Sequence, residues 1–158
     1  MQQHTSSNEK IIEASPQQLY HAFTDAAMLE KFLAPGEMTA HIHSFDLRPG
    51  GGYTMSLYYP SKGNYPPGKT NAKEDRFTST FLELQPYERI KTTTVFDTQD
   101  PLFAGEMLMT ILLKPVDNLH TRITIIFENI PPGIKPEDNE LGTSLTLQKL
   151  ENLVASHS

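Results

Sequence analysis

The residues best suited to chemistry in this chain begin with two histidines, His41 and His43, that are separated by one residue. On a β-strand both imidazoles would point to the same face of the sheet, where a pair can chelate a metal ion. A metal needs at least one more ligand, and the chain has no cysteine, so only a carboxylate or His120 could complete the set. We therefore expect surface histidines, with no metal and no other cofactor.

Three glutamates, Glu83, Glu106 and Glu128, fall within stretches that favour strand. Two of them facing one cavity could do acid–base work. Glu83 is in phase with Phe77 and Phe81, which allows it to face inward, but strand-end glutamates are also commonly solvated.

Nucleophilic catalysis has no support in the sequence. Ser56 and Ser79 have no His or Asp at the spacing of a known motif, so no nucleophile–base–orienter set is evident. The sequence thus favours a protein that is not an enzyme and supplies no catalytic residue.

Asp46 and Arg48 flank a turn that runs into three glycines, residues 50–52. We interpret the pair as a strand-end ion pair and the glycines as a sharp reversal or bulge. The glycines do not form a phosphate loop, because the G-x-x-x-x-G-K-[ST] pattern is absent and a strand follows them.

Composition excludes several classes of partner. The 158 residues suit one domain, 1–158 with a core of about 9–155, and the net charge of −6 argues against nucleic acid and anionic membranes. No apolar stretch is long enough to span a membrane, and the first ten residues lack the pattern of a signal peptide. We therefore expect a cytoplasmic protein.

The elements that would position these residues begin and end with helices. Ser15, Pro16 and Gln18 form a capping box that starts one short helix, and Asp25 caps a second that Pro35-Gly36 ends. A long amphipathic helix over residues 140–156 closes the chain. Its predicted apolar face contains Leu141, Leu145, Leu147, Leu150, Leu153 and Val154.

Between the helices, β-branched and aromatic residues predict consecutive strands. A polar segment rich in proline and glycine, residues 60–75, reads as a long exposed loop. After a first strand that ends at Glu13, the predicted strands are 39–47, 53–59, 76–84, 89–96, 106–114 and 121–129.

This order predicts an α+β fold. A curved antiparallel sheet of six to seven strands would surround the C-terminal helix. One helix leaves the end of such a sheet incompletely covered, and the two short helices after the first strand are placed to plug it.

Five motifs in order carry a resemblance to a known family. They are IxASPxxLYxAFTDAAxLxKF, FDLRPGGGY, FLELQPYERI, TRITIIF and GTSLTLQKLENLV, spread from about residue 9 to 155. The chain resembles the activator of heat-shock protein 90 ATPase homologue-like family, of the START-like (SRPBCC, helix-grip) superfamily.

The resemblance implies a sheet that grips the C-terminal helix around an internal cavity. Members of the superfamily bind apolar molecules, some are cyclases, and the namesakes stimulate a chaperone ATPase. The expected partner is thus an apolar small molecule, with a chaperone or a cyclase-type or aromatase-type activity as alternatives; the protein could be a monomer or a homodimer. The usual tryptophans are missing: Lys31-Phe32-Leu33 and Gly142-Thr143 stand in their places, so no family ligand carries over.

The predicted ligand-binding wall combines inward strand positions with the last helix. Small polar groups such as Thr92 and Thr94 among apolar ones could orient a ligand, and methionines adapt to irregular shapes. The alternative is an ordinary filled core, and Gly142 could mark either a close approach or only the start of the helix. The predicted residues are Phe32, Met55, Leu57, Tyr59, Phe77, Phe81, Thr92, Thr94, Phe96, Met107, Met109, Ile111, Gly142 and Leu145.

Overall fold

The computed structural model describes residues 4–34, 36–60 and 74–155. Its helices are α1 (Pro16–Phe23), α2 (Ala26–Phe32) and α3 (Pro136–Ala155), with a short 3-10 helix at Pro101–Phe103. Its strands are β1 (Ser6–Ile12), β2 (Thr39–Asp46), β3 (Gly52–Tyr58), β4 (Glu74–Gln85), β5 (Arg89–Phe96), β6 (Met107–Pro115) and β7 (Thr121–Glu128). None of the helices in these described ranges is long and apolar enough to cross a membrane.

The strands form one antiparallel sheet in the order β1-β7-β6-β5-β4-β3-β2. The α+β helix-grip prediction is therefore confirmed, with seven strands. Consecutive strands from β2 to β7 are neighbours, as short connections require. β1 is the exception, because it pairs with β7 and so occupies the edge opposite β2.

The position of β1 explains the two short helices. The chain must travel from one edge of the sheet to the other between β1 and β2, and α1 and α2 make this crossing. Both predicted caps are confirmed: Ser15 and Gln18 form a reciprocal capping box, and the Asp25 side chain accepts from the Met28 N–H. α2 ends at Phe32, while Pro35 of the predicted stop lies outside the described residues.

The predicted strands are found within two residues at each end, except for the first, which had no predicted start. β4 begins at Glu74, two residues earlier than predicted, so the strand also includes Asp75. A β-bulge between Phe81 and Glu83 then changes which side chains face the core. Residues 61–73 of the predicted loop lie outside the described residues.

The last helix differs from its prediction in both start and orientation. It begins at Pro136, because proline suits the first turn of a helix even though the surrounding prolines suggested a break. Its sheet-facing side follows the helical spacing of Thr143, Leu147, Leu150 and Val154, all buried. The predicted face was too broad: Leu141 and Leu145 are exposed, at 62% and 41%.

The core fills the inner face of the sheet beneath the C-terminal half of α3. Phe81, Ile90, Ile111 and Ile123 are each no more than 1% exposed there, and Leu150 from α3 is completely buried. Thr92 lies in this same core, but its hydroxyl oxygen is buried without a hydrogen-bond partner. An unpaired buried hydroxyl costs free energy relative to a methyl group of similar shape.

Two neighbouring threonines on β5 therefore give a matched test. Thr92→Val should leave the free energy of unfolding unchanged or raise it by about 1 kcal/mol, because no hydrogen bond is lost. Thr94→Val should lower it by about 1 kcal/mol, since Thr94 hydrogen-bonds to buried Ser79. Urea denaturation of both variants measures the difference; equal destabilisation would contradict the assignment of the unpaired hydroxyl.

Candidate functional site

The inner face of the sheet is not filled at one end. A partly open cavity of about 240 Å³ lies where β3, β5 and β7 end and where β4 and β6 begin, beneath the N-terminal half of α3. Its lining is mostly apolar and includes aromatic residues from several elements. The residues that line it are Phe23, Leu33, Met38, Tyr53, Leu57, Tyr59, Asp75, Phe77, Ser79, Thr94, Phe96, Met107, Met109, Ile125, Phe127, Ile134, Asp138, Asn139, Gly142, Thr143 and Thr146.

The structure divides the fourteen predicted wall residues into two groups. Eight lie at the cavity: Leu57, Tyr59, Phe77, Thr94, Phe96, Met107, Met109 and Gly142. Five are packed in the filled core: Phe32, Met55, Phe81, Thr92 and Ile111. Leu145 is neither, because its side chain is 41% exposed and does not line the cavity. Sequence alternation finds the inward face of a strand but not the position along it where packing stops.

A chain of three hydroxyl groups forms the deep polar part of the cavity. Ser79 hydrogen-bonds to the Tyr53 hydroxyl, and its Oγ lies 3.2 Å from Thr94 Oγ1. Burial raises the pKa of Tyr53 to about 12, and the hydrogen bond from Ser79 opposes this shift. The three groups are therefore neutral hydrogen-bonding partners near neutral pH.

The neighbouring strand β3 comes unusually close to the backbone of Ser79. A Cβ placed on Gly52 would lie 1.9 Å from the Ser79 carbonyl oxygen, so only glycine fits there. The glycines predicted as a reversal thus also bring β3 against β4.

A second polar pair lies between the end of β3 and the start of β4. The Tyr59 hydroxyl donates a hydrogen bond of 2.8 Å to Asp75 Oδ2. Asp75 itself is only 2% exposed. The pKa of Tyr59 is raised well above its usual value, first by burial and then by the negative charge of Asp75 and the hydrogen bond to it.

Helix α3 supplies the opposite wall with short side chains. Thr143 Oγ1 donates to the Asn139 carbonyl, and Thr146 Oγ1 donates to the Leu33 carbonyl at 3.1 Å. The second bond joins α3 to the end of α2. Gly142 lies in the second turn of the helix, so the alternative that the helix only begins there is wrong.

The sequence contained unused signals for two important lining residues. Asp75 and Ser79 are in phase with Phe77 at period two, so both face inward. Asp75 was missed because the predicted strand began one residue after it, and Ser79 because serine was considered only as a nucleophile. Asp138 and Asn139 were missed because the helix was predicted to begin after them.

The two histidines lie on the outer face of the sheet, away from the cavity. Their rings meet edge to face at 4.9 Å; His41 lies 3.3 Å from Glu30, and His43 Nε2 lies 2.8 Å from Ser56 Oγ. Among the residues that the structure describes, no group of three or more histidines and carboxylates is arranged to hold a metal ion.

Ser56 has both a histidine and a carboxylate beside it, which the sequence spacing did not reveal. Its hydroxyl donates to Glu74 and faces His43 Nε2. A catalytic triad requires the carboxylate on the histidine, whereas here the serine lies between the two. Because Ser56 is also completely buried, it cannot act as a nucleophile in this arrangement.

The remaining candidate acids are surface groups. The bulge turns Glu83 to the surface, where it lies 2.5 Å from Arg89, and Glu106 and Glu128 are exposed. The predicted pair of Asp46 and Arg48 is confirmed at 2.8 Å and is exposed.

Comparison with solved structures gives close fold matches across the whole chain. A protein from Chromobacterium violaceum is 32% identical with a TM-score of 0.83, and the alignment covers 96% of each chain. An AHSA1 protein from Silicibacter pomeroyi is 13% identical with a TM-score of 0.77, covering 98% of this chain and 99% of the other. A protein from Arthrobacter aurescens is 17% identical with a TM-score of 0.79, covering 97% and 87%.

The model of the family described as "Activator of Hsp90 ATPase homolog 1-like protein" matches residues 13–155. None of the curated proteins matches the chain. The family match confirms the resemblance inferred from the five sequence motifs.

The raised pKa of Tyr53 predicts a loss of stability at alkaline pH. Below pH 10 the phenol is neutral in both states; between pH 10 and about 12 only the unfolded chain ionises, so stability falls by about 3 kcal/mol before levelling. Urea denaturation across this window should show a smaller loss for Tyr53→Phe. Tyr58→Phe, which removes an exposed phenol from the same strand, is the matched control. Equal losses in wild type and Tyr53→Phe would refute the prediction.

Proposed function

We propose that this chain, which belongs to the family of Activator of Hsp90 ATPase homolog 1-like proteins, acts as one START-like domain that binds a small, mostly apolar molecule beneath α3. The observation that carries the proposal is the cavity of about 240 Å³ at the uncovered end of the sheet. A cytoplasmic location, expected from the sequence, is part of the same proposal.

The cavity limits the size of the ligand. Its volume corresponds to roughly eight water molecules at about 30 Å³ each. Pockets for drug-sized ligands usually measure about 300–1,000 Å³, so this one suits a smaller molecule, such as one aromatic ring with a short side chain.

The distribution of polar groups supports binding with a fixed orientation. An apolar wall supplies most of the contact, while Ser79 and Thr94 at the floor and the Tyr59–Asp75 pair at the side offer hydrogen bonds. A few polar groups placed in an apolar pocket are what selects one pose of a ligand.

The same groups favour binding over catalysis. A general acid or base works best with a pKa near the operating pH. The pKa values of Tyr53 and Tyr59 are both raised, so neither phenol exchanges its proton readily near neutrality. A cyclase or aromatase would have to use Asp75 or Asp138, the carboxylates at the cavity, in place of the two phenols, and it is the weaker alternative.

A second candidate function is co-regulation of a chaperone ATPase, which the family description suggests. One surface feature favours it: Leu141 and Leu145 are exposed one turn apart on α3, away from the sheet. Paired exposed leucines on a helix are suited to contact with another protein.

Filling the cavity from α3 tests the ligand-binding proposal. Gly142→Leu should lower the affinity for the neutral probe 2-phenylethanol by about tenfold, because the new side chain occupies the space of the ligand. Leucine is also the better helix former by up to about 1 kcal/mol, and urea denaturation of Gly142→Leu checks that lost binding does not reflect unfolding.

Ser144→Leu places the same side chain on the exposed side of the same helix and should bind like wild type. Affinities come from NMR titration of labelled protein. Failure of wild type to bind 2-phenylethanol or its charged analogues, or equal affinity in Gly142→Leu, would count against the proposal.

The chaperone function has a separate test. Addition of the protein to the Hsp90-type chaperone of its own source should stimulate ATP hydrolysis, and a Leu141→Glu/Leu145→Glu variant should lose most of the effect because charge replaces the exposed apolar pair. The control is Gly142→Leu, which changes the cavity and keeps this surface. No stimulation and no complex by gel filtration would dismiss the function.

A further inference from the structure

Both charged side chains among the described residues that line the cavity are acidic. Asp75 lies in the side wall and Asp138 at the exposed N-terminal part of α3, whereas no lysine, arginine or histidine occurs among the described residues that line the cavity. The remaining polar side chains there are neutral hydroxyls and the Asn139 amide. The electrostatic potential of the described lining is therefore negative.

The aromatic part of the cavity wall also favours a positively charged ligand. The rings of Tyr53 and Phe77 lie 6.4 Å apart, and those of Phe77 and Phe96 lie 6.1 Å apart, so three aromatic rings follow one another along the cavity. The face of an aromatic ring carries partial negative charge and attracts a cation in a site shielded from water.

Hydrogen bonding also favours an amine over a carboxylate as the ligand. Asp75 already accepts from Tyr59, and a carboxylate offers acceptor sites only, so it suits a ligand that donates. A carboxylate ligand would bring a like charge towards the buried Asp75 and the exposed Asp138, which is unfavourable, most of all at Asp75.

We propose that the ligand is a small organic cation, an aromatic or short aliphatic primary amine whose ammonium group lies towards Asp75 and Asp138 and whose apolar body packs on the aromatic wall. This inference rests on the proposed ligand-binding function and deepens it by naming the chemical class. By the same argument we expect fatty acids and other anionic lipids to bind more weakly than amines of similar size.

Three probes of nearly equal size test the charge directly: 2-phenylethylamine, 2-phenylethanol and phenylacetate. The amine should bind about tenfold more tightly than the alcohol, and phenylacetate should bind most weakly. Asp75→Asn and Asp138→Asn should each lower the ratio of amine affinity to alcohol affinity by about threefold or more. Asp138 is exposed, so its variant keeps the test valid if Asp75→Asn fails to fold.

Asp117→Asn is the matched control, because it removes the same charge from the turn after β6. Met107 and Met109 line the cavity at the start of β6, whereas Asp117 lies beyond the opposite end of that strand. If the alcohol binds as tightly as the amine, or the aspartate variants bind the amine normally, the proposal of a cationic ligand is wrong, while the proposal of ligand binding stands. If none of the three probes binds, both proposals fail.

Discussion

The structure depends on a mismatch of widths between one sheet and one helix. Seven strands spaced about 4.8 Å apart place the outermost two roughly 29 Å from each other, whereas a helix with its side chains is about 10–12 Å wide. α3 alone therefore cannot cover the inner face of the sheet. The chain also has to cross from β1 at one edge to β2 at the other, and α1 and α2 use that crossing to cover part of what α3 leaves open.

Side-chain size along α3 decides where the cover is complete. Leu147, Leu150 and Val154 are buried over a core that is closely filled. Towards the N-terminus of α3 the inward positions are Gly142, Thr143 and Thr146, whose small side chains leave space between the helix and the sheet. The cavity therefore arises from a change of residue size within a single helix, at the end where all the nearby strands begin or end.

Most of the fold could be predicted from local sequence signals. Helix caps and strand alternation are short-range effects, and Ser15, Asp25 and the β-branched strands follow them closely. The errors occurred where one residue type has two structural meanings. Pro136 starts a helix although it resembled a break, and the bulge beside Phe81 turns Glu83 outward although alternation placed it inward.

The candidate site was less predictable because it depends on contacts between distant segments. Thr92 and Thr94 are equivalent by alternation, yet only Thr94 reaches the cavity, while Thr92 ends beneath Phe81 in the core. Likewise, Ser56 meets His43 and Glu74 only through pairing of three strands. No spacing along the chain encodes either arrangement.

The departures of this chain from its family's pattern bear on the shape of the cavity. The resemblance leads one to expect tryptophan near the end of the second helix and after the glycine of the last helix, where this chain has Lys31-Phe32-Leu33 and Gly142-Thr143. From these two stretches Leu33, Gly142 and Thr143 lie in the cavity wall, and Thr146 donates to the Leu33 carbonyl. An indole in place of Leu33 or Thr143 would occupy space that is now open. The smaller side chains at these two positions therefore add to the volume that the short residues of α3 leave for a ligand.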